Sequence, residues 1–396
     1  MISSLALIFI LSLLAGELMR RIKLPRIIGM IFVGIIIGPY VLNLLSPEIL
    51  SISAELRKIA LIIILIKAGL TLNLDSLKKA SRPALLLSFL PATFEVIGIT
   101  IFAPLFFDIT RTEAALLGAV LGAVSPAVVI PKMTELIEKG YGKNKSIPEM
   151  ILAGASLDDI FVIVLFSSFL SANQSGEINL TSFLSIPVSI ISGIALGAIV
   201  GLLVTLLFKR FKMRSEVRTI VVLAVSFTLI TIEELIKPYF SLSGLLAVVA
   251  SSCIIKLKSD EGVTKELAND HTRLWAGAEI ILFTLIGAAV DIRYTLNAGL
   301  FAIVLLFLGL LVRTIGVLIA LIKTPLNKKE RAFVVFSYLP KATVQAAIGG
   351  VPLAMGLSCG SLILSVAVLS IIITAPLGAF LMDISYKKLL SELLPP

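Results

Sequence analysis

Gly118-Ala-Val-Leu-Gly-Ala-Val-Ser125-Pro126-Ala-Val-Val-Ile-Pro131 and Ser337-Tyr-Leu-Pro340-Lys341-Ala-Thr343-Val-Gln345-Ala-Ala-Ile-Gly349-Gly350-Val-Pro352 are apolar stretches interrupted by proline, glycine and hydroxyl or charged residues. Proline lacks a backbone donor and its ring collides with the preceding turn, so a helix running through either stretch is disturbed there. A simple kink is one reading, because neighbouring groups re-satisfy the freed backbone in membrane helices. Two half-helices separated by extended chain is the other, and the placement of the pair favours it.

The surrounding chain is that of a membrane protein. Of 396 residues, 58% are hydrophobic and 15% charged, against about 45–50% and about 25% in soluble domains; the mean hydropathy is +1.07. Apolar runs of about twenty residues, the length that crosses a bilayer as a helix, recur throughout. They predict an all-α polytopic fold of about 13 spans, at 2–19, 25–45, 55–73, 83–107, 112–136, 148–171, 182–208, 217–236, 238–256, 274–292, 295–322, 329–355 and 359–382. The longest polar stretch, Lys256 to Arg273, has room for a short surface helix and no separate soluble domain. The start, Met1-Ile-Ser-Ser-Leu, lacks a basic region and a cleavage site and reads as a first span.

Lys and Arg fall into alternating loops, 26 on one side and 5 on the other, with Lys67, Arg313 and Lys341 inside spans. The positive-inside bias puts the N-terminus outside and the C-terminus in the cytosol. The net charge of +9 is thereby a matter of topology and lipid headgroups, not of nucleic acid. Cys253 and Cys359 are expected near opposite faces, which excludes a disulfide between them. The single histidine, His271, is expected as a solvated loop residue, and no Cys or His spacing suggests a metal site.

Spans two to six and nine to thirteen form two five-span blocks, approximately 25–171 and 238–382. The broken helix is the fourth member of each block, and the two run in opposite directions. Paired interrupted helices at corresponding positions point to a transporter binding site at the repeat interface. The third member of each block carries one buried charge, Glu95 in one and Arg313 in the other. Either alone would be costly, so they are expected to pair and to serve structure.

Asp158 and Asp159 stand in the apolar run Pro148-Glu-Met-Ile-Leu-Ala-Gly-Ala-Ser-Leu-Asp158-Asp159-Ile-Phe-Val-Ile-Val-Leu-Phe166. Carboxylates at bilayer depth mark ion or proton paths by default. Helical neighbours point about 100° apart, so one faces the broken helices and the other a different wall. Burial and a like charge favour the protonated form, whereas a bound cation favours the ionised one. The pair therefore holds a monovalent cation or a proton, and that competition is enough for exchange. Ser125, at the first break, either ligates a hard cation through its hydroxyl or bonds back to its own helix. Lys341, at the second, either offsets the negative helix ends or pairs with Asp158. Glu17 and Lys67 either pair or reach towards the interface.

With these residues together, the chain resembles the NHA-type sodium/proton antiporters of the monovalent cation:proton antiporter-2 family, which have the NhaA fold. The likeness rests on the Gly118–Val129 stretch, on Ile147-Pro-Glu-Met-Ile-Leu-Ala-Gly-Ala-Ser-Leu-Asp-Asp-Ile and on Leu339-Pro-Lys-Ala-Thr-Val-Gln-Ala-Ala-Ile-Gly. It implies a thirteen-helix inverted repeat and a homodimer working as an elevator. Core helices would lie at approximately 83–171 and 295–382, dimerisation helices at 1–73 and 217–292, and a linker helix at 182–208. It implies Asp159 as principal cation ligand (Na⁺ or Li⁺) and proton carrier, Asp158 as its assistant, Lys341 as the lysine of the second crossing helix, and Glu95–Arg313 as an ion pair. Electrogenic relatives have lysine where Arg313 stands. Arginine does not shed its proton, which favours electroneutral exchange. No cofactor is expected, and the setting is the lipid bilayer of a prokaryotic cell membrane. The same ligands suit K⁺/H⁺ antiport. A cation channel would need a filter motif, and an enzyme a nucleophile–base pair or metal motif; neither is visible.

Overall fold

The computed structural model describes residues 1–22, 24–71, 82–174, 180–236, 239–240 and 242–392. Of the loop residues whose charges set the expected orientation, Lys23, Lys78, Lys79 and Lys237 lie outside the described residues, as does the side chain of Arg293. Among the described residues the protein is helical, with one isolated bridge between Tyr141 and Glu392 and no strand. Nine helical segments among them are long and apolar enough to cross a bilayer.

The chain divides into two compact units. The first comprises Met1–Ala54, Asn73–Val162 and Phe283–Pro396; the second comprises Glu55–Leu72 and Ile163–Leu282. In the first unit, α1 (Ile2–Arg21) packs on α2 (Arg26–Ile37), and α3 (Pro47–Ser51) follows. The expected span 25–45 is helical only to Ile37, because Gly38 precedes Pro39 and takes an extended conformation. The second unit holds α4 (Ser53–Thr71) apart from its first two residues.

The expected span 83–107 is also interrupted. α5 (Arg82–Leu87) stops ahead of Pro91, and α6 (Leu90–Phe106) continues. The two disturbed stretches are broken outright. The first is α7 (Arg111–Leu121) and α8 (Pro126–Glu138). Beyond the helices α9 (Ile147–Gln174), α10 (Leu180–Arg210), α11 (Ser215–Ile236), α12 (Gly244–Lys258), α13 (Glu261–Ala289) and α14 (Ile292–Ala320), the second is α15 (Lys328–Ser337), α16 (Thr343–Gly349) and α17 (Val351–Ala354). α18 (Gly360–Leu389) closes the fold.

Both broken helices start alike, at capping boxes. Glu113 N–H donates to Thr110 Oγ1 at 3.2 Å, and Thr110 N–H to Glu113 Oε2 at 2.8 Å. Glu330 N–H donates to Asn327 Oδ1 at 2.9 Å, and Asn327 N–H to Glu330 Oε2 at 2.7 Å. α6 packs against α7 and α14, and α18 runs along α14, α15, α16, α17, α7 and α8. This bundle carries the breaks to one another.

In the second unit α12 packs on α10 and α11. Gly193, Gly197 and Gly201 line the α10 side of that contact; a Cβ on Gly201 would stand 2.7 Å from the Ser251 carbonyl oxygen. The helices approach backbone to backbone, as small residues permit in membranes. The polar stretch after Lys256 is not the expected loop with a short surface helix, because α13 begins at Glu261 and runs into the apolar segment unbroken. His271 is accordingly no solvated loop residue: it is buried, and its Nδ1 meets the Leu267 carbonyl at 2.8 Å. Its position one turn beyond Leu267 on a helix with a buried face puts the imidazole inside. Cys253 and Cys359 are both free.

Candidate functional site

The break after Leu121 leaves backbone groups without helical partners, the cost of any helix end. Helix α7 presents its negative end here, and the partners come from elsewhere in the first unit. Lys341 Nζ donates to the Leu121 carbonyl, and Arg313 Nη1 to that of Gly122. Gln345 Nε2 donates to the Ala123 carbonyl at 2.8 Å. On the far side of the break, Val124 N–H donates to Asp158 Oδ2 at 2.6 Å, and Ser125 N–H to the Pro340 carbonyl at 2.7 Å. The last bond joins the two breaks directly.

The second break is held in the same manner. Lys341 N–H donates to Thr374 Oγ1 at 2.9 Å, Ala342 N–H to Gln345 Oε1 at 2.8 Å, and Arg313 Nε to the Tyr338 carbonyl at 2.8 Å. Glu95 sits between the two cations: Arg313 Nη1 lies 2.8 Å from Oε2, and Lys341 Nζ 2.7 Å from Oε1. Arg313 Nη2 is 3.6 Å from Asp158 Oδ2. Glu95, Asp158 and Lys341 are fully buried and Arg313 is 1% exposed, so the cluster works at low dielectric.

The structure therefore brings Glu95, Arg313, Lys341, Asp158 and Ser125 together. It gives Lys341 both a helix end and an acid, and the acid is Glu95, not Asp158. Ser125 is the N-cap residue of α8, yet its hydroxyl has no hydrogen-bond partner, so it does not bond back to its own helix. Asp158 Oδ1 and Asp159 Oδ1 are likewise buried and without partner. Glu17 pairs with Arg20 at 2.7 Å and Arg21 at 3.7 Å, three and four residues along its own helix. Gln345, Thr374 and Tyr338 were not singled out by sequence reasoning. Gln345 stands three residues after Ala342, the spacing of a capping residue. Thr374 gave no signal, since a threonine in an apolar helix ordinarily bonds back to it, as Thr374 also does to Ser370.

With all groups ionised, Glu95 and Asp158 balance Arg313 and Lys341, and Asp159, next to Asp158 on α9, adds a net charge of −1. One monovalent cation or one proton neutralises it. Among the described residues no group of three or more His, Cys, Asp or Glu side chains could hold a metal ion. Asp158 Oδ1, Asp159 Oδ1 and Ser125 Oγ are among the buried oxygens that no protein group engages.

Residues 5–383 match the model of a known family, "Sodium/hydrogen exchanger, transmembrane". The chain belongs to the sodium/hydrogen exchanger family. It is 33% identical over 414 residues to sodium/hydrogen exchanger 9B2 of Homo sapiens, a match covering 98% of this chain and 74% of that protein. It is 33% identical over 410 residues to sodium/hydrogen exchanger 9B1 of Mus musculus, covering 98% and 71%. The fold is similar to that of the sodium proton antiporter MjNhaP1 from Methanocaldococcus jannaschii, with a TM-score of 0.84, 19% identity and 99% of each chain covered. As an exchanger-family member the chain is a multi-pass membrane transport protein.

Proposed function

We propose that this protein is a secondary antiporter that exchanges Na⁺, or Li⁺, for H⁺, with Asp159 and Asp158 as the site that cation and proton share. Ser125 adds an oxygen ligand. Glu95 and Arg313 form the structural ion pair, and Lys341 compensates the helix ends at the crossing. The observation that carries this reading is the set of buried, unpartnered oxygens on Asp158, Asp159 and Ser125 beside the crossed breaks. Buried acceptors without partners are costly, and a cation or a proton removes that cost.

The net charge of −1 is cancelled by one Na⁺ or one proton, and Arg313 stays charged throughout. The exchange is therefore electroneutral, one for one. The finer features of this reading are NHA-type membership of the monovalent cation:proton antiporter-2 family, thirteen spans in inverted repeats at 25–171 and 238–382, the NhaA fold and elevator movement. It also includes assembly as a homodimer, an outside N-terminus and a cytosolic C-terminus in a prokaryotic cell membrane.

The test is dissipation of an imposed ΔpH in proteoliposomes by Na⁺, Li⁺ and K⁺, with and without a valinomycin-imposed potential. Wild type should respond to Na⁺ and Li⁺ and ignore the potential, and Asp159→Asn should be inactive while remaining folded. Transport by Asp159→Asn at the wild-type rate removes the shared-site assignment. A response to K⁺ alone identifies a K⁺/H⁺ antiporter, and acceleration by the potential shows net charge movement.

A further inference from the structure

Helix α18 meets the second break along one turn of its buried face. Thr374 and Gly378 stand four residues apart there, so they share that face, and both are buried. The Thr374 hydroxyl donates to the Ser370 carbonyl at 2.7 Å and accepts from Lys341 N–H at 2.9 Å. Gly378 leaves room for the Pro340 ring. A Cβ on it would overlap Pro340 Cγ and stand 2.7 Å from its Cδ and 3.2 Å from its nitrogen. The pyrrolidine ring is stiff and tied to the backbone at both ends. A side chain at 378 therefore moves the chain of the break itself, not a flexible tip.

What these two residues seat is one peptide plane, Pro340–Lys341. The described peptide bonds are all trans, and a trans plane carries its N–H and its C=O on opposite edges. Thr374 of α18 holds the N–H edge. The C=O edge accepts from Ser125 N–H at 2.7 Å. The plane is thus fixed at both edges, and it carries the position of α18 across to the first break. There Ser125 is the N-cap residue of α8, with its hydroxyl buried and unbonded. The residue before it, Val124, donates its N–H to Asp158 Oδ2 at 2.6 Å.

We propose that Thr374 and Gly378 are positioning residues of the ion site: through the Pro340–Lys341 peptide they set where the Ser125 hydroxyl stands relative to Asp158. They act through the backbone and supply no ligand of their own. The inference rests on the antiport reading with Ser125 as a cation ligand. A site of this kind works only while its groups are held within about 0.5 Å of the productive geometry. Thr374→Val removes the acceptor at nearly constant volume and releases one edge of the plane. Gly378→Ala keeps the acceptor and displaces the plane bodily. The two substitutions disturb the same seat by different physical means.

The experiment is the Na⁺ KM and maximal rate of ΔpH dissipation in proteoliposomes for wild type, Thr374→Val, Thr374→Ser and Gly378→Ala, with thermal unfolding without Na⁺ as the control for folding. Thr374→Val should raise the Na⁺ KM about five-fold, the size of one buried hydrogen bond, at a maximal rate close to wild type. Thr374→Ser keeps the hydroxyl and should restore the KM. Gly378→Ala should raise it further than Thr374→Val. Thr374→Val combined with Ser125→Ala should go no higher than the larger single effect, because one acts through the other. A wild-type KM in both Thr374→Val and Gly378→Ala, whatever their unfolding temperatures, overturns the proposal and leaves the antiport reading standing. A double-variant KM rise equal to the product of the single rises overturns the route through Ser125. Absence of Na⁺-dependent transport in wild type overturns both readings. If Thr374→Val fails to fold, an unchanged KM in Gly378→Ala is the overturning result, and the converse holds.

Discussion

The break at 122–125 consists of glycine, alanine, valine and serine, whereas the break at 338–342 carries a tyrosine, a proline and a lysine, with Gln345 one turn on. The first receives and the second gives. Leu121, Gly122 and Ala123 expose carbonyls that Lys341, Arg313 and Gln345 fill, and Val124 exposes an N–H that Asp158 fills. The second break sends Lys341 and Gln345 across and offers the Pro340 carbonyl to Ser125 N–H. The two breaks therefore differ in kind: small residues give one a bare backbone, into which Lys341 and Gln345 of the other fit. At the bare break the Ser125 hydroxyl and the adjoining Asp158 Oδ1 are buried without a hydrogen-bond partner.

Arg313 serves both breaks at once and offers the strongest way to disturb this comparison. Its fork reaches the Tyr338 and Gly122 carbonyls and Glu95, with Asp158 at 3.6 Å. Arg313→Met leaves acids and carbonyls unpaired in a buried cluster and should cost about 3–5 kcal/mol, read as a large fall in thermal stability in detergent or lipid. Arg313→Lys keeps the charge but not the fork, and should recover only a minor part. Full recovery by lysine would mean that charge alone, not the bridging of two breaks, holds the crossing.

Gln345→Leu tests the giving half with a smaller effect. It removes the donor to Ala123 and the acceptor for Ala342 N–H while keeping the volume. A loss of roughly 1–3 kcal/mol is expected for buried groups left unsatisfied, measured by the same unfolding assay. An unchanged midpoint would show that the carbonyl and the N–H find other partners, and that Lys341 and Arg313 suffice to join the halves.

Much of this arrangement was legible in particular residues. Opposite charges at Glu95 and Arg313, one in the third member of each block, pointed to a meeting, because neither could remain alone in hydrocarbon. Pro126 and Pro340 located the breaks through their missing donors. The partner of Lys341 was not legible, because proximity to Glu95 or Asp158 depends on how the breaks cross, a tertiary fact that spacing along the chain does not carry. His271 was misjudged because its neighbours are polar, whereas its burial is set by the face of α13 turned inward. The shortened α2 followed from Gly38-Pro39, a local signal outweighed by the apolar run on either side of it.

Ser125→Ala should have the smallest effect on stability and is the sharpest probe of what the receiving half is for. The hydroxyl is fully buried but bonds to nothing in the protein, so its removal breaks no contact and should change stability by no more than about 0.5 kcal/mol. If the hydroxyl is a cation ligand, the loss appears only when the cation is present. A ligand that binds the folded state raises its unfolding temperature, so wild type should gain thermal stability with added Na⁺. Ser125→Ala should gain less, and its Na⁺ KM should rise several-fold at an unchanged maximal rate. An unaltered Na⁺ response in both assays would take Ser125 out of the site and leave the receiving half with its carboxylates alone. A fall in stability without Na⁺ would instead show that the hydroxyl supports the break itself, making the two halves more alike than their side chains suggest.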